Sequence, residues 1–197
     1  LPSIVRAEQE FAGSFGGRKA MMSVAKAPLV GVMMGSDSDL PVMEEVLSIL
    51  ETYEVEYEVR ILSAHRSPEE TSRYAATAAE RGLKVLIAGA GWAAHLAGVV
   101  AAHTILPVIG VPIDSSPLQG MDALLATVQM PPGIPVATMA IGKGGARNAA
   151  IHAVQILALQ QPGLAEKLKA NKRKMAEEVV VGKNQRLQEH LSKRKLG

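Results

Sequence analysis

Five short apolar runs alternate with segments of helical period, and no other feature constrains this chain as strongly. Leu29-Val-Gly-Val-Met-Met34 is followed by Gly35-Ser-Asp-Ser-Asp39, and Lys84-Val-Leu-Ile-Ala88 by Gly89-Ala-Gly91. Pro107-Val-Ile-Gly-Val111 is the fourth run, and Pro135-Val-Ala-Thr-Met-Ala-Ile141, ahead of Gly142-Lys-Gly-Gly145, the fifth. Continuous apolar runs of this length, bounded by glycine, suit strands covered on both faces, which means a parallel sheet between helices. Val55 to Leu62 is different: Val55, Tyr57, Val59 and Ile61 alternate with polar residues, as expected of a strand nearer the sheet edge.

The intervening stretches read as helices. Leu40 to Thr52 carries Val42, Met43, Val46, Leu47, Ile49 and Leu50 on one broad face. Ser67-Pro68-Glu69-Glu70 reads as a helix start, with Ser at the N-cap, Pro at the first position and Glu closing a capping box. That helix is expected to run to Gly82, with others over His95–His103, Leu118–Val128 and Ala146–Gln160. Strand–helix alternation of this kind implies right-handed crossovers and a doubly wound α/β sheet. Of the 197 residues, 29 are Ala and 18 Gly, which suits close helix–sheet contact.

Composition narrows the function classes. With no cysteine, disulfide scaffolds, zinc ribbons and thiol nucleophiles are excluded, and a reducing cytosol is compatible. No His/Asp/Glu set has a metal-ligand spacing such as His-Glu-x-x-His, so no metal site is expected. No apolar run approaches the ~20 residues that span a bilayer, and the first 26 residues lack a signal-peptide core. Aromatic residues make up 3% of the chain, too few for a stacking groove on single-stranded nucleic acid. The net charge of +2 conceals a division: residues 1–28 carry +2, residues 29–162 carry −6, and residues 163–197 carry +6. We therefore expect three parts: a loose segment over 1–27, a catalytic domain over 28–162, and a basic helical extension over 163–197, interrupted at Gly182. Such an extension suits a solvated helix or an arm docking on a neighbouring subunit better than a nucleic-acid arm.

In open α/β sheets ligands gather at the carboxyl ends of the strands. There the chain places Ser36, Ser38 and Asp39, then Ser63-Ala64-His65-Arg66, then Gly89-Ala90-Gly91 with His95 and Leu96. Serine and aspartate at a strand-to-helix turn serve equally well as N-caps, so the first loop alone leaves both readings open. An arginine at a helix start opposes the macrodipole, and an anionic partner such as phosphate would rationalise Arg66. His95 reads equally as a packed residue, whereas His103, His152 and His190 read as structural or surface residues. There is no Gly-x-x-x-x-Gly-Lys-Ser/Thr. Gly89-x-Gly91-x-x-Ala94 mimics a dinucleotide fingerprint but follows the third strand instead of the first.

At these loops the chain resembles the PurE family, the class I N5-carboxyaminoimidazole ribonucleotide mutases of purine biosynthesis. The resemblance covers residues 29–162. It rests on Met34-Gly-Ser-Asp-Ser-Asp39, Ser63-Ala-His-Arg-Ser-Pro68, Ala88-Gly-Ala-Gly91 with Ala93-Ala-His-Leu96, and Leu106-Pro-Val-Ile-Gly-Val-Pro112. Gly120-Met-Asp-Ala-Leu-Leu125, Val128-Gln-Met-Pro131 and Gly133-Ile-Pro-Val136 continue it. The resemblance implies a flavodoxin-like three-layer αβα domain, assembled as a cytoplasmic homo-octamer, acting on a small ribonucleotide without metal or organic cofactor. It implies an isomerase that moves a carboxylate from the exocyclic nitrogen to C4 of the imidazole. By resemblance the general acid/base falls on His65 and a second active-site histidine on His95. Phosphate and ribose contacts fall on Ser36, Asp39 and Arg66, with Ser38, Ser63, Ala64, Gly89, Ala90, Gly91 and Leu96 beside them.

Two features qualify the resemblance. The class II branch, which carboxylates aminoimidazole ribonucleotide with CO2 directly, typically has Lys after the histidine, and here that residue is Arg66. That favours the mutase over the carboxylase; a non-catalytic nucleotide-binding module on the same fold is the other alternative. The family usually has a second glycine before Ala-Ala-His-Leu, where this chain has Trp92, its only tryptophan. The indole would either tuck aside or cap the pocket.

Overall fold

The computed structural model describes residues 27–194. The expectation for residues 1–27 therefore lies, but for Ala27, outside the described residues. Five parallel strands form one sheet: β1 (Val30–Met34), β2 (Tyr57–Ile61), β3 (Val85–Ala90), β4 (Val108–Pro112) and β5 (Ala137–Thr138). Their spatial order is β2-β1-β3-β4-β5, the flavodoxin-like doubly wound order. Every residue of β1 and β4 is buried, as is β3 up to Gly89, whereas β2 is half-buried at one edge. That matches the contrast between continuous and alternating runs.

The helices are α1 (Leu40–Thr52), α2 (Pro68–Thr77), α3 (Leu96–Ala102), α4 (Met121–Val128), α5 (Gly142–Ala158), α6 (Pro162–Glu177) and α7 (Asn184–Arg194). Two apolar layers pack on opposite faces of the sheet. One joins β1, β3 and β4 side chains to Met43, Val46 and Leu50 of α1 and to Ala146, Ala149, Ala150 and Ala153 of α5. The other joins Met33, Leu86 and Ala88 to Ala75 of α2 and to Leu96, Ala97 and Val100 of α3. Alanine along α5 lets that helix lie close to α1 and the sheet, which explains part of the alanine surplus.

Four expectations change. The fifth run pairs only over Ala137–Thr138, with Met139 N donating to Gly110 O beyond it. Pro135 has no N–H to give a ladder, and the chain must already turn into α5, which starts at Gly142. The helix from Ser67 ends at Thr77, after which a run of turns reaches Gly82 (φ +94°). The extension is not broken at Gly182. It stays helical through a π turn over Glu178–Lys183 that joins α6 to α7. Its first turns also belong to the body: Leu164 is buried and Leu168 packs on the α1/α5 layer, while Lys167 Nζ donates to Tyr53 O at 3.1 Å.

Candidate active site

The doubly wound order reverses between β1 and β3, and the crevice outside the carboxyl ends of those strands is where such sheets bind ligands. Three loops meet there, following β1, β2 and β3. Gly35 N donates to Gly89 O at 3.3 Å, which ties the first loop to the third. Arg66 in the second loop reaches the first, its Nη2 donating to Gly35 O at 2.8 Å.

The first loop is organised by a capping box. Ser38 N donates to Ser36 Oγ, and Ser36 N to Asp39 Oδ2 at 3.0 Å. Ser38 Oγ donates to Ser36 Oγ at 3.0 Å, and Asp37 Oδ1 accepts from both Ser36 Oγ and Ser38 N. Asp39 is only 5% exposed, and its carboxylate accepts from Ser36 N within the loop. Burial pushes its carboxyl above the ordinary aspartate range, against the lowering effect of the Ser36 and Gly35 backbone N–H groups and of Arg66.

The capping box expected at Ser67 does not form, because its N-cap side chain makes no bond into α2. Ser67 Oγ turns back instead, accepting from Ser63 N at 3.0 Å and donating to Ser63 O at 3.2 Å. Thr71 Oγ1 donates to Ser63 O as well. Ser63 Oγ in turn accepts from Arg66 N at 3.2 Å, with Arg66 Nε at 3.5 Å. The hydroxyls thus hold the turn that aims Arg66, instead of capping the helix. Sequence reading missed this use of Ser67 and Thr71, because a serine before proline looks the same in either role.

A cleft of ≈ 360 Å³ opens between the first two loops, lined by Gly35, Ser36, Asp37, Ile61, Ser63, Arg66 and Ser67. That lies within the usual ~300–1,000 Å³ of small-molecule sites. Hydroxyls and a guanidinium suit an anionic group, while Ile61 supplies an apolar wall. Ile61 was not anticipated; its signal was its place at the exposed end of the alternating edge strand.

His65 and His95, thirty residues apart, are brought together. His65 Nε2 lies 2.8 Å from His95 Nδ1, with ring centroids 4.9 Å apart and the rings near-perpendicular at 78°. A bond between two imidazole nitrogens requires one to carry a proton and the other to offer its lone pair. The pair flanks the cleft instead of lining it, and both rings are exposed. His95 is therefore not a packed core residue.

Close packing by their neighbours restricts Gly89 and Gly91 to glycine. A Cβ on Gly89 would lie 2.3 Å from Met43 Sδ, and one on Gly91 1.9 Å from Ser115 Oγ. Ala90 O accepts from Ile113 N. Leu96 is buried in the apolar layer under α3, so its side chain supports His95 and does not line the cleft. Ala64 packs partly against that same layer. Trp92 is not tucked aside: its indole is 58% exposed, at a backbone φ of +53°. Among the described residues, no group of three or more His, Asp or Glu is placed to hold a metal ion.

A family model for AIR carboxylase matches residues 29–178. The chain belongs to the AIR carboxylase family. Among similar members, the N5-carboxyaminoimidazole ribonucleotide mutase of Pyrococcus abyssi is 61% identical over 72% of this chain and 80% of its own. Those of Thermotoga maritima and Bacillus subtilis are 53% and 52% identical, covering 93% and 98% of their own lengths. A crystal structure of Treponema denticola PurE superposes with a TM-score of 0.70 at 30% identity, over 78% of this chain and 94% of that one. The AIR carboxylase match runs through the whole sheet, the three site loops and α6, and stops where the π turn begins.

Proposed function

We propose that this protein is an N5-carboxyaminoimidazole ribonucleotide mutase of purine biosynthesis, an isomerase yielding 4-carboxy-5-aminoimidazole ribonucleotide. Relatives of that name at 50–61% identity support the reaction, and the 2.8 Å His65–His95 contact is the observation that carries the site. Carboxylate transfer needs one proton delivered and one recovered. The bond from the exocyclic nitrogen to the carboxylate breaks, CO2 leaves, and that nitrogen gains a proton. C4 then bonds to CO2 and gives up its proton to restore the ring. His65 suits both steps, since imidazole exchanges protons near neutrality, and His95 holds its ring and shares the proton. Retaining CO2 beside the ring replaces a bimolecular encounter with proximity. Arg66 and the serines of the cleft would take the 5′-phosphate, Asp39 and Ser38 the ribose side, and the Gly89–Gly91 segment the flat base.

The assembly we propose is a homo-octamer in the cytoplasm, acting on a small ribonucleotide and not on nucleic acid or membrane. An exposed apolar stripe on and before α4 (Leu118, Met121, Leu125 and Val128) supports self-association. Among the described residues no helix is long and apolar enough to cross a membrane.

The test is to supply N5-carboxyaminoimidazole ribonucleotide and follow the ultraviolet absorbance of the C4-carboxylated product. Turnover independent of bicarbonate supports the mutase; turnover of aminoimidazole ribonucleotide that requires bicarbonate would indicate the direct carboxylase. His65→Asn should lower kcat by roughly 10²–10⁴-fold while nucleotide binding persists. Arg66→Ala should chiefly raise KM, by roughly 10–100-fold for a lost charged hydrogen bond. Near-normal turnover in the histidine variant would remove His65 from its role.

A further inference from the structure

The cleft between the first two loops carries two opposed charges: among its lining residues Arg66 is the cation and Asp37 the anion. Arg66 donates to neutral oxygens, Gly35 O at 2.8 Å and Ser63 Oγ at 3.5 Å, so neither bond neutralises it. Asp37 is held differently. Its Oδ1 accepts from Ser36 Oγ and from Ser38 N, both at 3.0 Å. Ser36 also lines the cleft, so a hydroxyl that an incoming anion could use is already donating to a carboxylate. The loop does not depend on that carboxylate for its capping box. Ser36 and Asp39 make the box, with Ser36 N donating to Asp39 Oδ2 at 3.0 Å. Of the two acids in Gly35-Ser-Asp-Ser-Asp39, one is therefore buried and closes the box, while the other stands exposed on the cleft wall.

A phosphate monoester carries about −1.5 to −2 charges near neutrality. Entering this cleft, it would meet a guanidinium that attracts it and a carboxylate that repels it and competes for the Ser36 hydroxyl. We infer that Asp37 limits the grip of the cleft on a phosphate group, and so sets how tightly phosphate-bearing ligands bind and how readily they leave. The inference rests on the mutase reading in one respect, that a phosphate is what the cleft takes. Substrate and product of that reaction share one phosphate, so a stronger hold on it would stabilise both alike. Uniform binding of that kind lowers KM without speeding the chemical step, and it slows product release. A carboxylate beside the guanidinium weakens the hold on any ligand that offers only a phosphate. Discrimination is then left to contacts with the rest of the nucleotide.

Asp37→Asn keeps the shape of the side chain and removes its charge, whereas Asp37→Glu keeps the charge. Inorganic phosphate and ribose 5-phosphate are the probes, titrated calorimetrically into each protein, with ribose as the uncharged control. Asp37→Asn should bind both phosphate probes roughly 3–10-fold more tightly, as a dianion freed from one screened like charge, and the gain should shrink at high salt. Asp37→Glu should bind them as the parent does, and ribose should not distinguish the three proteins. With the nucleotide substrate, KM and the inhibition constant of the product should both fall in Asp37→Asn. Unchanged, weaker or undetectable binding of the phosphate probes in Asp37→Asn would overturn the inference. Equal tightening by Asp37→Glu, or tightening toward ribose, would overturn it too, because loop geometry and not charge would then be the cause. Phosphate binding and turnover are separate readouts. If the parent converts N5-carboxyaminoimidazole ribonucleotide while Asp37→Asn leaves phosphate affinity unchanged, the role of Asp37 fails and the mutase reading stands. If the phosphate response appears without turnover in the parent, the role of Asp37 stands and the mutase reading fails.

Discussion

Trp92 has a left-handed backbone, φ +53°, on a bulky aromatic residue, a conformation costing roughly 1–2 kcal/mol in an L-residue. Little burial offsets that cost, because the indole is more than half exposed. The residue before Trp92 is itself restricted to glycine, since a Cβ on Gly91 would lie 1.9 Å from Ser115 Oγ and 3.2 Å from Ile113 O. Glycine would suit the position, which gives a physical reason for the glycine expected there by resemblance. Trp92→Gly should therefore stabilise the fold by about 1 kcal/mol, read as a higher urea midpoint at unchanged slope. Its kcat/KM should be equal or higher, measured on the same preparation; a large loss would show that the indole contributes to the site.

At the scale of elements, local signals were sufficient for most of the secondary structure. Continuous apolar runs located β1, β3 and β4, and an alternating one located the edge strand, because period and burial are tied by the pleat. The α1 helix was readable to its last residue from its apolar face. Where two local structures share one signal, the reading failed. Ser67-Pro-Glu-Glu carries a capping-box pattern, yet Ser67 bonds back to Ser63, while the working box lies at Ser36 and Asp39. The glycine-rich start of α5 illustrates a contact the sequence does not show. A Cβ on Gly145 would lie 1.6 Å from the carbonyl oxygen of Ala140, a backbone atom that cannot swing away. Gly145→Ala should consequently cost ~3 kcal/mol or more through overpacking. Gly144→Ala, where nothing lies within 4 Å, should be close to neutral in the same denaturation experiment.

For the whole molecule, stability against pH follows from carboxylates shifted in opposite directions. Asp39 is raised by burial, so its contribution is full below the unfolded value near 3.8 and is lost as pH rises through the folded one. Glu45, bridged to Arg147 at 2.7 Å, is lowered, so its contribution is present above 4.5 and lost as pH falls. Asp39→Asn keeps an acceptor for Ser36 N and removes the buried charge. It should be more stable than the parent at neutral pH, with the gap closing in acid; urea titrations across that range measure it. Under the proposed function the same variant should bind the ribonucleotide less well.

By itself the sequence determined the layered α/β architecture, the loops where chemistry gathers, and a basic helical end on an acidic body. Those properties are written in local period, turn chemistry and charge, each legible within a few residues. Only the tertiary structure decided that His65 and His95 share a hydrogen bond, that Asp39 is buried, and that Arg66 locks onto Gly35. It also decided that the basic end stays helical through a π turn over Glu178–Lys183. These depend on which strands lie side by side and how loops distant in sequence meet. Packing across the whole sheet sets that order, and no local segment encodes it alone.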